Sequence, residues 1–130
     1  MDSILLDTHT FIWLSEDDPD LPNSVLKIID NAENVFVSTV SFWEIAIKLN
    51  VGKITLKDSF HDIENRFNAT RLILLPVSIE DSVQLHKLPF IKEHTDPFDK
   101  LLVSQAIARS IPIISVDIHL DVYPVQRIWE

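Results

Sequence analysis

Apolar positions along this chain fall into short continuous runs that alternate with helical stripes. Ser3-Ile4-Leu5-Leu6 is a run of the kind a buried parallel strand uses, and it ends at Asp7. A helix over Thr8 to Leu14 follows, for which Asp7 is also a candidate cap. The acidic loop Glu16-Asp17-Asp18-Pro19-Asp20 reads as a solvated connection. Pro22 then opens a second helix that runs to about Asn31, with Val25, Leu26, Ile28 and Ile29 as its buried stripe. Val35-Phe36-Val37 predicts a second strand. Ser38, Thr39 and Ser41 are possible caps for a helix from about Ser41 to Val51, rich in Phe42, Trp43, Ile45, Ala46, Ile47 and Leu49.

The only glycine, Gly52, is placed to end that helix with positive φ. A helix over about Asp58 to Ala69, a short strand from Leu72 to Leu75, and a helix through about Lys87 behind a Ser78–Asp81 capping box come next. His61 and His86 lie on these helices without a partner four residues on, and neither suggests a metal pair. The stretch from His94 to Ala106 places Asp96 as an N-cap, Pro97 at the first helical position and Asp99 three residues after the cap. Ser110-Ile111-Pro112 stops this helix, and Ile113 to Val116 forms a further strand that ends at Asp117. Val122 to Ile128 could add an edge strand, with pairing limited by Pro124. Strands alternating with helices predict an α/β sandwich of three layers, its mainly parallel sheet covered on both faces.

At 130 residues the chain is expected to form one domain, 1–130, large enough to bury a core without staples. With 46% hydrophobic and 24% charged residues it has the composition of a soluble globular protein. No apolar run approaches a membrane span and no secretory signal opens the chain, so a cytoplasmic location is expected. The absence of cysteine excludes disulfides and thiolate zinc sites, which leaves oxygen or imidazole to hold any metal. A net charge of −9 argues against simple electrostatic binding of nucleic acid, yet it is also what a carboxylate-rich site for a hard cation contributes.

Four elements deliver acids toward one edge of the predicted sheet: Asp7 and Asp117 at strand ends, Glu44 after the second strand, and Asp96 with Asp99 at a helix start. Each has an ordinary alternative. Asp7 could be a turn or cap residue, and Asp96 with Asp99 could simply complement a helix terminus. Glu44 reads either as half of an exposed pair with Lys48 or as aimed into a polar pocket, and periodicity favours the exposed pair. Burying several like charges together requires a compensating cation, and an Asp/Glu cluster without cysteine suits magnesium or manganese.

The same residues carry a family resemblance over nearly the whole chain. Leu5-Leu6-Asp7-Thr8-His9, Ser41-Phe42-Trp43-Glu44-Ile45-Ala46-Ile47-Lys48, His94-Thr95-Asp96-Pro97-Phe98-Asp99-Lys100-Leu101-Leu102 and Ser115-Val116-Asp117 resemble, in order and spacing, the four acidic motifs of PIN-domain ribonucleases of the VapC toxin type. The resemblance implies a metal-dependent endoribonuclease, the toxin of a toxin–antitoxin pair, with Asp7, Glu44, Asp99 and Asp117 holding Mg2+ or Mn2+. It implies hydrolysis by a metal-activated water without a protein nucleophile. Asp96 is a neighbour, its role more in capping than in ligation. Arg often stands in the family where this chain has Thr95 and Lys100. Lys48, Lys53 and Lys100 are candidate RNA contacts. The resemblance also implies a homodimer and a cognate antitoxin, for which Phe11, Trp13, Phe42 and Trp43 could supply an apolar groove.

Two other readings remain open on the residues. One is a catalytically silent α/β protein-binding module whose acids are caps and surface charge. The other is a metal-dependent nuclease or phosphatase acting on a substrate other than RNA, since the metal chemistry is shared.

Overall fold

The computed structural model describes residues 2–130. Strand β1 (Ser3–Leu6) leads directly into helix α1 (Thr8–Ser15), followed by α2 (Asn23–Asn31), β2 (Asn34–Ser38), α3 (Thr39–Asn50) and α4 (Phe60–Asn68). The chain continues through β3 (Ile73–Leu75), α5 (Ile79–Lys87), α6 (Pro97–Arg109), β4 (Ile113–Ile114), a 3-10 turn over Ile118–Val122, and β5 (Arg127–Ile128). The strands form one five-stranded sheet in the order β3-β2-β1-β4-β5, and every neighbouring pair is parallel.

Both faces of that sheet are buried, and the two-residue period of the strands sorts their side chains between them. Ile4, Leu6, Val35, Val37 and Ile114 face one cluster with Phe11, Ile12, Val25, Ile29 and Ile63 of α1, α2 and α4. Leu5 and Ile113 face the other, with Leu102, Val103 and Ala106 of α6. Helix α3 contributes to both, Ile45 to the first and Val40 to the second. This is the expected three-layer α/β/α sandwich. Among the described residues no helix is long and apolar enough to cross a membrane.

Chain order explains where a site can form. From β1 the sheet grows outward through β2 and β3, and the chain then crosses back through α5 and α6 to place β4 on the other side of β1. The direction of growth reverses between β1 and β4, and the crevice at the carboxyl ends of strands at such a reversal is where open α/β sheets collect ligands.

Local chemistry sets most boundaries where the residue pattern puts them. Asp96 caps α6, accepting from the backbone amides of Phe98 and Asp99, with Pro97 at the first turn. Ser59 and Ser78 form capping boxes with Asp62 and Asp81. Gly52 follows α3 with φ of 75°. Three boundaries differ. Helix α3 starts at Thr39 because Ser38, still in β2, already caps it through the Val40 amide. Strand β4 stops at Ile114, because the Ser115 hydroxyl takes the Asp117 amide and turns the chain into the 3-10 segment. The expected edge strand over Val122 to Ile128 shrinks to Arg127–Ile128, beyond Pro124.

The aromatic groove expected from Phe11, Trp13, Phe42 and Trp43 does not form as one surface. Phe11 is in the core at 1% exposure, packed edge-on against Phe42 and Phe67, and Trp13 leans on Trp129. Of the four only Trp43 is exposed, and it lies in line with exposed Ile47 of α3 and Val51 just past its end.

The return crossover is tied by one buried charge. Asp81, without solvent exposure, receives Arg109 through both carboxylate oxygens, at 2.6 and 3.3 Å, and Gln105 Nε2 at 3.3 Å, joining α5 to α6. Burial pushes the Asp81 carboxyl up, but Arg109 and the Ser78 amide outweigh it and hold it below its usual range. Arg109→Ala leaves that carboxylate buried without its cation and is expected to cost about 3 kcal/mol in denaturant unfolding. A loss below about 1 kcal/mol would show that water replaces the guanidinium.

Candidate active site

Asp7 leaves the carboxyl end of β1 as the cap of α1, with Oδ1 accepting from the Thr10 amide at 2.9 Å. Its own amide donates to the Ile114 carbonyl at 3.1 Å, and the Thr10 hydroxyl donates to the same carbonyl at 3.0 Å, so β1 and β4 are stitched together at the crevice. Burial pushes the Asp7 carboxyl up, against hydrogen bonds from Ser115 and Thr10 that lower it.

Glu44 lies one turn into α3 and is buried at 3% exposure. The exposed pair favoured by periodicity is therefore corrected: Glu44 does pair with Lys48, through Oε2, but inside the site. Its other oxygen, Oε1, accepts from the Thr8 hydroxyl at 2.6 Å, and the Thr8 and Ser41 hydroxyls are 3.0 Å apart. Lys48 also stands 3.9 Å from Asp96 Oδ2. Desolvation alone would lower the Lys48 ammonium, but Glu44, Asp96 and Asp99 hold it above its usual range and keep it charged.

At the start of α6, Asp96 spends Oδ1 on the cap. Asp99, one turn in, has a carboxylate that accepts no hydrogen bond from any described residue. Burial, then the charges of Asp96, Glu44, Asp117 and Asp7, push its carboxyl up to about 7. Those four acids act on Asp99 from α6, α3 and the ends of β4 and β1, so the chain does gather at one point the acids it scatters in sequence. Asp117 faces the same crevice from beyond β4, with Oδ1 accepting from the His119 amide at 3.0 Å.

Of the candidate RNA contacts, Lys48 is engaged by Glu44. Lys100 is aimed over the exposed Phe90 ring, 5.8 Å from its centroid. Lys53 is exposed past the end of α3 and forms no ion pair among the described residues, so it is not brought into the cluster. Two polar groups that the residue pattern did not single out do face it. Thr8 anchors Glu44, and its position directly after Asp7 was the available signal. His94 Nε2 lies 3.5 Å from Asp99 Oδ2, and a ring nitrogen of His94 with oxygens of Asp99 and Asp117 falls within a span of 4.8 Å. Its signal was a histidine two residues ahead of the capping acid.

Comparison with known proteins decides the family. The family model of the PIN domain matches residues 4–125. The chain belongs to the PIN-domain family. No curated protein matches it by sequence. Among solved structures, the PIN domain described here is similar to VapBC2 from Rickettsia felis bound to a promoter DNA fragment, with a TM-score of 0.70, 18% identity, and coverage of 98% of this chain and 99% of that one. DNA-bound VapBC from Salmonella typhimurium gives a TM-score of 0.68 at 15% identity, covering 98% of each chain. FitAcB from Neisseria gonorrhoeae gives 0.57 at 19% identity, covering 96% of each chain. The fold is thus shared with these proteins at 15–19% sequence identity.

The raised Asp99 carboxyl has a measurable consequence for the metal-free PIN domain. An aspartate in the unfolded chain titrates near 4, whereas Asp99 in the folded state titrates near 7. The folded state holds this proton more tightly, so the contribution is fully favourable below about pH 4 and is lost as pH rises through about 7. With chelator present, the melting temperature is expected to fall between about pH 5 and pH 8, and to fall less in Asp99→Asn. Equal pH slopes for the two proteins would remove Asp99 from the cluster.

Proposed function

We propose that this PIN domain is a metal-dependent endoribonuclease acting as the toxin of a toxin–antitoxin pair. The observation that carries the reading is the Asp99 carboxylate, which is buried in the field of three other acids and a capping aspartate and accepts no hydrogen bond from any described residue, with only Lys48 to offset part of their charge. A fold retains so unfavourable an arrangement when a cation completes it. The donor set fits magnesium or manganese: oxygens of Asp7, Glu44, Asp99 and Asp117, with no thiolate. When bound, the divalent ion supplies charge neutralisation and Lewis-acid activation of water toward a phosphodiester.

The protein's own part is to hold these carboxylates still. Thr8 and Lys48 fix the two oxygens of Glu44, and the Thr10 amide fixes Asp7. Asp96 orders the first turn of α6 and thereby the direction of Asp99. No serine, cysteine or threonine with an adjacent base is needed as a nucleophile. Lys100 beside exposed Phe90 offers a cation and an aromatic face at the start of α6, which suits an unstacked RNA strand.

The toxin assignment rests on the four VapC-type motifs together with the likeness to VapBC and FitAB assemblies. A cognate antitoxin and a second copy of this chain are the expected partners, and the exposed Trp43, Ile47 and Val51 stripe is apolar surface for a protein partner to cover. The same reading places the protein in the cytoplasm.

Incubating total bacterial RNA with the purified chain and Mg2+ or Mn2+ is expected to yield discrete fragments that vanish with chelator and in Asp99→Asn. Matched DNA and a phosphomonoester are expected to survive. Cleavage that persists in Asp99→Asn, or that consumes DNA in preference, would overturn the proposal. Either ion is also expected to raise the melting temperature by mass action on the folded state, with most of the rise lost in Asp7→Asn.

A further inference from the structure

His94 sits in the segment between α5 and α6 with a side chain only 11% exposed, and its two ring nitrogens are in opposite situations. Nδ1 is 2.7 Å from the hydroxyl of Tyr123, whose ring is buried and meets the imidazole edge-on at 5.3 Å between centroids. Nε2 is shut off from solvent and has no hydrogen-bond partner among the described residues. It faces Asp99 Oδ2 at 3.5 Å, within ion-pair range but without hydrogen-bond geometry. A buried ring nitrogen left unpaired is costly, so its persistence at this spot needs a reason.

We propose that His94 Nε2 is a nitrogen ligand of the divalent cation held by Asp99 and Asp117, making this a mixed nitrogen–oxygen site that prefers Mn2+ to Mg2+. The inference rests on the metal-dependent reading above and adds to it a ligand and a metal preference. Oxygens of Asp99 and Asp117 and a ring nitrogen of His94 already lie within 4.8 Å of one another. To ligate, Nε2 must offer a lone pair, which puts the single ring proton on Nδ1, where it donates to the Tyr123 oxygen. This is the usual arrangement for a metal-bound histidine, whose second nitrogen is fixed by an outer hydrogen bond. Burial and the charge of Asp99 push the Tyr123 phenol up, so it stays an uncharged hydroxyl. Tyr123, which meets the imidazole edge-on, is itself anchored in the core cluster on the α6 face of the sheet.

The choice of ion follows from ligand type. Magnesium demands oxygen ligands and gives up water reluctantly, whereas imidazole is acceptable to manganese and the later divalent metals. Replacing the imidazole should therefore affect one ion and spare the other.

The test is metal binding by the full chain, independent of turnover. After removal of metal, Mn2+ and Mg2+ are titrated calorimetrically into the parent, His94→Ala and Tyr123→Phe, and the Mn2+-loaded proteins are examined by electron spin-echo modulation for directly bound 14N. The parent is expected to show imidazole nitrogen modulation, and its spectrum requires no variant to fold. His94→Ala is expected to lose the modulation and to bind Mn2+ about tenfold or more weakly, with Mg2+ affinity changed less than about threefold. Tyr123→Phe is expected to keep the modulation and weaken Mn2+ by a smaller factor. Modulation that survives in His94→Ala, or an equal loss of both ions, overturns the assignment. A parent that binds Mn2+ without nitrogen modulation overturns the His94 ligand alone, whereas a parent that binds neither ion overturns the metal-dependent reading with it.

Discussion

Mutual repulsion among carboxylates is the constraint around which this structure is arranged. Asp7, Glu44, Asp117 and the Asp96–Asp99 pair come from four separate places in the fold, and burial together with the charges of the other four lifts the Asp99 carboxyl to about 7. One lysine, Lys48, offsets part of that charge, and it is already committed to Glu44. Asp99 itself accepts no hydrogen bond from any described residue, and Asp117 faces only His119 and the more distant Arg127. A site of this kind is poised for a small, highly charged cation, because the binding of one relieves a repulsion that the fold otherwise sustains.

The surrounding fold explains how that repulsion is tolerated. Asp7, Asp96 and Asp117 each commit one oxygen to a nearby backbone amide, so local helix and turn formation already fixes them before they meet. The reversal of strand order between β1 and β4 then brings the fixed acids to one crevice, and the Ile114 carbonyl, shared by the Asp7 amide and the Thr10 hydroxyl, locks those strands in register there. Two apolar clusters, one on each face of the sheet, supply the stability that the crevice draws down. Farther out, Arg109 and Asp81 secure the pair of helices that carries the chain back across β1. Rigidity comes from the caps and the cores, while the charge is left for the ligand.

Much of this was legible in the residue pattern, and for physical reasons. The apolar run Ser3–Leu6 marks a buried strand whose end carries Asp7, though the pattern left open whether that acid only caps the next helix, and Asp96-Pro97 writes a helix start almost explicitly. The order of strands and helices was enough for the sandwich. What escaped the pattern depends on tertiary placement. Glu44 looks like half of an exposed pair because period alone cannot reveal that α3 is wedged between both cores, with Ile45 on one side and Val40 on the other. Phe11 and Phe42 looked available to a partner for the same reason. Strand β4 is short because a serine hydroxyl captures the chain two residues early, a competition between side chain and ladder that hydrophobicity does not register. His94 lies in a segment without period, and its meaning comes wholly from Tyr123 and Asp99, which are distant or helical neighbours.

The central claim is that the acidic crevice between β1 and β4 is a divalent-cation site. The most direct test is a crystal of the chain grown with Mn2+ and measured for anomalous scattering. The account predicts a manganese peak bonded to Asp99 within the carboxylate cluster at the mouth of α6. An open crevice with no peak there, in a crystal that binds manganese elsewhere, would contradict it.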